Sequence, residues 1–85
     1  MTNSEVCRAF ARGYVGHSSN MFTDGNKLFS YSTVIAEKIN GAIVFNASKY
    51  STTTSKQQTL ALRAFAPDFI VNGVSRGVTS LVDYL

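Results

Sequence analysis

Apolar positions along the chain change period several times. Val6, Ala9, Phe10 and Gly13 recur at helical spacing behind Asn3 and Ser4, either of which can accept the free amides of a helix start, and Gly13 suits its stop. The first dozen residues therefore predict a short helix with one apolar stripe. From Gly13 to Asn20 the periodicity gives way to Gly, His, Ser and Asn, which predicts a loop.

Two hairpins follow. Asp24-Gly25-Asn26 lies between Met21-Phe22 and Leu28-Phe29, with a two- or a three-residue turn fitting equally. Asn40-Gly41 is flanked by Val34-Ile35-Ala36 and Ala42-Ile43-Val44-Phe45, both rich in β-branched residues. A two-residue turn there pairs Ile39 with Ala42, Lys38 with Ile43, Ala36 with Phe45 and Val34 with Ala47. One face then carries Val34, Ala36, Ile43, Phe45 and Ala47, with Lys38 at the tip, and is the expected core face. Ile35, Glu37, Val44 and Asn46 fall on the other.

The hydroxyl-rich run from Ser48 to Ser55 precedes a helix expected from about residue 55 to Ala66. Thr54-x-x-Gln57 and Ser55-x-x-Gln58 both match a capping box, and Pro67 ends the helix. Ala61, Leu62 and Phe65 share the side expected to face the core, with Lys56 and Arg63 on the opposite side. Phe69-Ile70-Val71 reads as a short strand or turn and Asn72-Gly73 as a break. Val78, Leu81, Val82 and Leu85 are at helical spacing and predict a last helix. With no repeat and no linker, residues 1–85 read as a single α+β domain: a small antiparallel sheet of about three to five strands, built on two hairpins, with helices packed on one face.

Composition narrows the function. An 85-residue chain has no room for a two-domain enzyme, and 45% hydrophobic with 15% charged residues describes a globular rather than a disordered chain. Cys7 is the sole cysteine, so no internal disulfide forms and a stapled secreted scaffold is excluded. It reads as a small buried hydrophobe rather than a reactive thiol. Asn3, Ser4 and Glu5 stand where a signal peptide needs a basic start, and no apolar run is long enough to span a bilayer, so a cytoplasmic location without a membrane partner is expected.

Candidate chemistry is sparse. His17 has no second His or Cys to make a metal site, and the five acids Glu5, Asp24, Glu37, Asp68 and Asp83 are too scattered to suggest an acid–base pair. The glycines form neither G-x-G-x-x-G nor a P-loop. A non-catalytic protein without metal or cofactor is expected.

Charge distribution says more than the net +3. From Lys38 to Pro67 there is no Asp or Glu, while Lys38, Lys49, Lys56 and Arg63 all fall inside, with Tyr50 beside Lys49. These five residues are the candidate partner-binding surface, offering charge, hydrogen bonds and stacking to phosphate or to an acidic protein face.

Two segments carry a resemblance. Phe22 to Ala36 contains D-G-x-x-L-x-S-Y-x-T-x-I-A, and Asn46 to Gln57, with the Gln58 that follows, contains K-Y-S-x-T-T-S-K-x-Q. Over roughly residues 17 to 60 the chain resembles a family of small proteins of unknown function found in tailed phages and their hosts. The resemblance implies a phage or prophage source. Small phage proteins of this kind suggest a stoichiometric inhibitor of a host defence complex, anti-CRISPR-like, acting in the host cytoplasm on a protein or ribonucleoprotein. DNA mimicry is excluded by the charge sign, because a mimic must be strongly acidic. The alternative is a small basic nucleic-acid-binding accessory module using the same residues. A second copy paired along an exposed sheet edge is a further partner that so small a chain admits.

Overall fold

The first helix starts one residue before the expected caps. In the computed structural model, which describes residues 1–85, helix α1 spans Asn3–Arg12 and is capped by Thr2. The Thr2 hydroxyl accepts from the Glu5 amide at 3.2 Å and the Glu5 carboxylate accepts from the Thr2 amide at 2.8 Å. Gly13 ends the helix at φ +80°, a left-handed conformation that costs glycine little. Val6, Cys7, Ala9 and Phe10 form its buried stripe.

Six strands make one sheet in chain order: β1 Gly16–His17, β2 Met21–Thr23, β3 Lys27–Ser30, β4 Thr33–Ile39, β5 Ala42–Asn46 and β6 Phe69–Val71. The β1 pair lies inside the predicted loop, since two residues are too few to show a period. The β4–β5 hairpin keeps the expected register from Ile39↔Ala42 to Ala36↔Phe45, with Asn40 and Gly41 both at positive φ. Pairing stops there, and the expected Val34–Ala47 pair does not form.

Two expectations for the sheet are corrected. It is mixed rather than antiparallel, because helix α2 (Thr52–Ala64) carries the chain back so that β6 runs parallel to β5. The second correction concerns Val34. Leu28 pairs with Ala36 but Phe29 with Val34, so Ile35 is an extra residue, a β-bulge. The bulge puts both Ile35 and Ala36 into the helix-side core with Leu28, Phe45, Phe10 and Ala61, and turns Val34 to the other face.

That other face is covered as well. Val34 and Val44 pack there with Val71, Val74 and Leu81, so residues placed opposite the expected core face are buried too: Val44 and Asn46 are 0% exposed and Glu37 is 5%. The cover is the C-terminal segment from residue 72 onward. It is not the predicted helix: it holds one 3-10 turn at Val82–Tyr84. Val and Thr are poor helix formers, and backbone partners in the sheet win. The Val34 amide donates to the Val78 carbonyl, the Gly77 amide to the Thr33 hydroxyl, the Val74 amide to the Ser48 hydroxyl and the Leu81 amide to the Glu37 carboxylate, at 2.7–2.9 Å.

Helix α2 also begins earlier than expected, at the cap Ser51, whose hydroxyl accepts from the Thr54 amide. Its buried face is Thr54, Gln57, Gln58 and Ala61, while Leu62 is 47% exposed. The two glutamines close no capping box and instead reach the sheet. Gln58 donates to the carbonyls of Asn46 and Ser48, and Gln57 joins Asn20 and Ser30. Phe65, in extended conformation after the helix, packs on Phe10 and Phe45 as its apolarity predicts. Every buried side-chain polar atom has a partner.

Asn46 is the most heavily used of these polar residues. Its amide nitrogen donates to the Val34 carbonyl at 3.0 Å and to the Tyr50 hydroxyl at 2.9 Å, and its oxygen accepts from the Ser48 amide at 2.9 Å. Asn46→Ala leaves buried partners unsatisfied and is expected to cost about 3 kcal/mol in urea unfolding. Exposed Asn72→Ala serves as the control, expected within about 0.5 kcal/mol of wild type. A loss under about 1 kcal/mol for Asn46→Ala would show that the cover does not hang on this side chain.

Candidate functional site

The five candidate surface residues do not form one surface. Lys38 is half-buried, and its ammonium donates to the Phe10 carbonyl at 2.6 Å and the Gly25 carbonyl at 3.0 Å while lying 4.8 Å from the Phe10 ring centroid. A cation at the C-terminal end of α1 offsets the partial negative charge of the free carbonyls. Lys38 thereby holds α1 to the hairpin turns and presents no free charge to a partner. Tyr50 is also engaged: its hydroxyl accepts from Asn46 and donates to the Val74 carbonyl at 2.7 Å, leaving the ring as its contact surface.

Lys49, Lys56 and Arg63 are exposed. Lys49 lies in the connection from β5 to α2, whereas Lys56 and Arg63 lie on the outer side of α2, as their seven-residue spacing requires. Arg63 acquires company that the sequence reading did not assign. Helices α1 and α2 pack side by side, and the groove between them, about 190 Å³, is lined by Arg8 and Arg12 of α1 and by Arg63 and Leu60 of α2. Arg8 and Arg12 are four apart, opposite the Val6 and Phe10 stripe, so the α1 period already pointed them outward. What brought them to Arg63 was helix packing.

The groove is electrostatically one-sided. The chain's ion pair within 4.0 Å is Lys27 with Glu37, on the far face of the sheet, so none of the three guanidiniums has a carboxylate partner. Glu5 is the nearest acid on α1, and its carboxylate accepts from the Thr2 amide, which holds its pKa below the ordinary carboxylate range. Guanidiniums gathered this way present forked donors to carboxylate or phosphate oxygens.

A second concavity, of about 150 Å³, lies where the β3–β4 turn meets the start of α2 and the loop carrying Arg76. Ser30, Tyr31 and Thr33 from one resemblance segment and Tyr50, Ser51 and Thr54 from the other all line it. Two segments separated in the chain by the β4–β5 turn thus converge on one hydroxyl-rich cleft.

The remaining reactive side chains are dispersed. His17 is exposed on β1, and no three His, Cys, Asp or Glu side chains cluster so as to hold a metal ion. Cys7 is fully buried in the helix-side core, and burial pushes its thiol up to about 11. No helix is long and apolar enough to cross a membrane.

The chain belongs to a family of unknown function, DUF8033, whose model matches residues 7–66. The match runs from α1 through α2 and so includes Arg8, Arg12, Arg63 and both cleft-lining segments, while β6 and the C-terminal cover lie outside it. No curated protein and no solved structure matches the chain.

Two measurements check these placements. Lys38→Met is expected to lower stability by about 2 kcal/mol, because it strips a charged donor from two carbonyls, whereas Lys49→Met and Lys56→Met stay within about 0.5 kcal/mol of wild type. Equal effects from all three would return Lys38 to the free surface. The Cys7 thiol is expected to resist an aromatic disulfide reagent at pH 8 in the folded protein and to react fully in urea. The neutral thiol is the form that folding favours, so its contribution to stability is complete below the ordinary thiol range and declines as pH rises toward 11. Rapid labelling of the folded protein at pH 8 would contradict the burial.

Proposed function

We propose that the protein is a non-catalytic binding protein of phage type that inhibits a host defence complex in the host cytoplasm by seating its arginine groove on an acidic surface of that complex. The observation that carries this reading is the gathering of Arg8, Arg12 and Arg63 between two helices without a carboxylate partner. Like charges brought together cost the fold stability, by about 0.2–0.5 kcal/mol for the Arg8–Arg12 pair alone, and an anionic partner relieves that repulsion. Leu60, Ala11 and Ala64 line the groove together with the three arginines, so it offers a partner some apolar contact beside the charge. Lys56 continues the row along α2. In this reading Lys38 drops out of the contact set for the reason given above, Tyr50 belongs to the separate cleft, and Lys49 stands apart from the groove.

Nucleic acid is the second reading, favoured by the same run of unpaired cations. The two differ in their response to salt. Binding through phosphates weakens log-linearly with salt, with a slope of about −0.9 for each phosphate contacted, whereas a protein interface with an apolar centre weakens far less.

The test is plaquing by a phage on cells whose defence complex targets it, with the chain supplied in trans. Wild type is expected to restore plaquing. A double variant, Arg8→Glu with Arg63→Glu, confirmed folded by circular dichroism, is expected to bind about a hundredfold more weakly and to lose the rescue, as for two charge contacts at about 1.4 kcal/mol per tenfold. Full rescue by the double variant would remove the groove from the mechanism. Failure of wild type to rescue against any defence complex, together with steeply salt-dependent DNA or RNA binding, would replace inhibition with the nucleic-acid reading.

A further inference from the structure

We infer that the cleft between the β3–β4 turn and the start of α2 is a binding site for a small phosphomonoester, with Arg76 as its anion-binding residue. This site is separate from the arginine groove and does not depend on the inhibitor reading.

The cleft has one cation, and that cation is held in place. Arg76 lies in a turn of the C-terminal cover, and its neighbours are pinned on both sides: the Gly77 amide donates to the Thr33 hydroxyl at 2.8 Å, and Val74 is bonded through its amide to Ser48 and through its carbonyl to Tyr50. Its guanidinium carbon lies 5.9 Å from the Tyr50 ring centroid. Because the Tyr50 hydroxyl is fixed by Asn46 and Val74, that ring is a rigid platform that orients the guanidinium. No Asp or Glu lines the cleft, and Arg76 makes no ion pair. A guanidinium that is oriented by an aromatic ring and lacks a carboxylate keeps its forked donors free for a ligand anion.

The opposite wall is a turn in an unusual conformation. Tyr31 has φ +53°, a region that non-glycine residues seldom occupy and that costs about 1 kcal/mol or more. The Tyr31 amide donates to the Asn20 carbonyl at 2.9 Å, which holds the turn, and the Tyr31 side chain stays 63% exposed at the cleft rim. Beside it the Ser32 hydroxyl has no partner within the chain and the Thr33 hydroxyl only accepts, from the Gly77 amide, whereas across the cleft the Ser51 hydroxyl is taken up by Thr54. The Ser32 and Thr33 hydroxyls beside one guanidinium suit the several oxygens of a tetrahedral phosphoryl group. A neutral sugar would leave Arg76 without a counter-charge. A polyanion needs a row of cations, which the helix groove has and this cleft lacks. Tyr31 lines the cleft and is exposed, which offers an aromatic surface to the organic group the phosphate carries.

The experiment is a titration of the uniformly ¹⁵N-labelled protein, at constant ionic strength, with inorganic phosphate in one arm and adenosine monophosphate in the other. Saturable shifts are expected in the amides of Tyr31, Ser32, Ser51 and Arg76. Arg76→Ala, whose spectrum also reports that the fold is retained, is expected to weaken binding by about tenfold or more, and Arg63→Ala to leave it unchanged. Tighter binding of the nucleotide than of phosphate, with the difference removed by Tyr31→Ala, supports a site that takes the whole ester. Equal binding supports a site that recognises the phosphoryl group alone. Shifts that do not saturate, that centre on Arg8 and Arg12, or that persist unchanged in Arg76→Ala overturn the assignment.

Discussion

A six-stranded sheet in so short a chain has two faces to keep from water and two helices that cover only one of them. The second cover is a segment that forms almost no regular structure, so its backbone amides and carbonyls cannot satisfy one another. They are satisfied by the sheet. Thr33, Glu37, Ser48 and Tyr50 project polar atoms to the Gly77, Leu81 and Val74 backbone, and Asn46 holds Tyr50 in position to do so. Val34, Val44, Val71, Val74 and Leu81 become a second core only because those hydrogen bonds bring the segment down. The architecture rests on this exchange: polar side chains of β4 and of the β5–α2 connection take the place of the helical hydrogen bonds that the tail does not make.

The helix side is built differently. There the core is apolar, with Phe65 against both Phe10 and Phe45 and with Leu28, Ile35 and Ala61 in the same cluster. Polar anchors lie at its margins: Gln57 and Gln58 tie α2 to the sheet, and Lys38 ties the end of α1 to the Asp24 turn. With both helices seated this firmly, their outer sides become one surface, and the arginines on it are held in fixed relation, with Glu5 near Arg8 but no carboxylate within ion-pair distance.

The two concavities are therefore products of the two covers. The arginine groove exists because α1 and α2 lie side by side on one face. The hydroxyl cleft exists because the cover on the other face delivers Arg76 to the rim, where Thr33 and Tyr50 hold its loop. Their chemistry differs accordingly: three arginines beside Leu60 and two alanines in one, a single guanidinium among hydroxyls in the other.

Local physics made much of this legible in the residues. The Asn40-Gly41 turn and its register, the stop of α1 at Gly13, the end of α2 before Pro67 and the burial of Cys7 each follow from a conformational preference acting over a few positions. The α+β class follows from their order. What failed did so where a distant partner outweighed the local period. A one-residue bulge at Ile35 turned Val34 away from its expected face, and no period-of-two pattern contains that information. Glu37 and Asn46 looked solvated because nothing in their own strands shows that residues 72–85 return to cover them. Lys38 looked like a free cation because its carbonyl partners lie 28 and 13 positions away. Legible in the residues alone were the α1 stripe, the hairpin turns, the sign of the charge and the outward placing of Lys56 and Arg63. Only the tertiary structure decided which cations stand together, since that depends on which elements pack as neighbours, and long-range packing leaves no periodic mark on the chain.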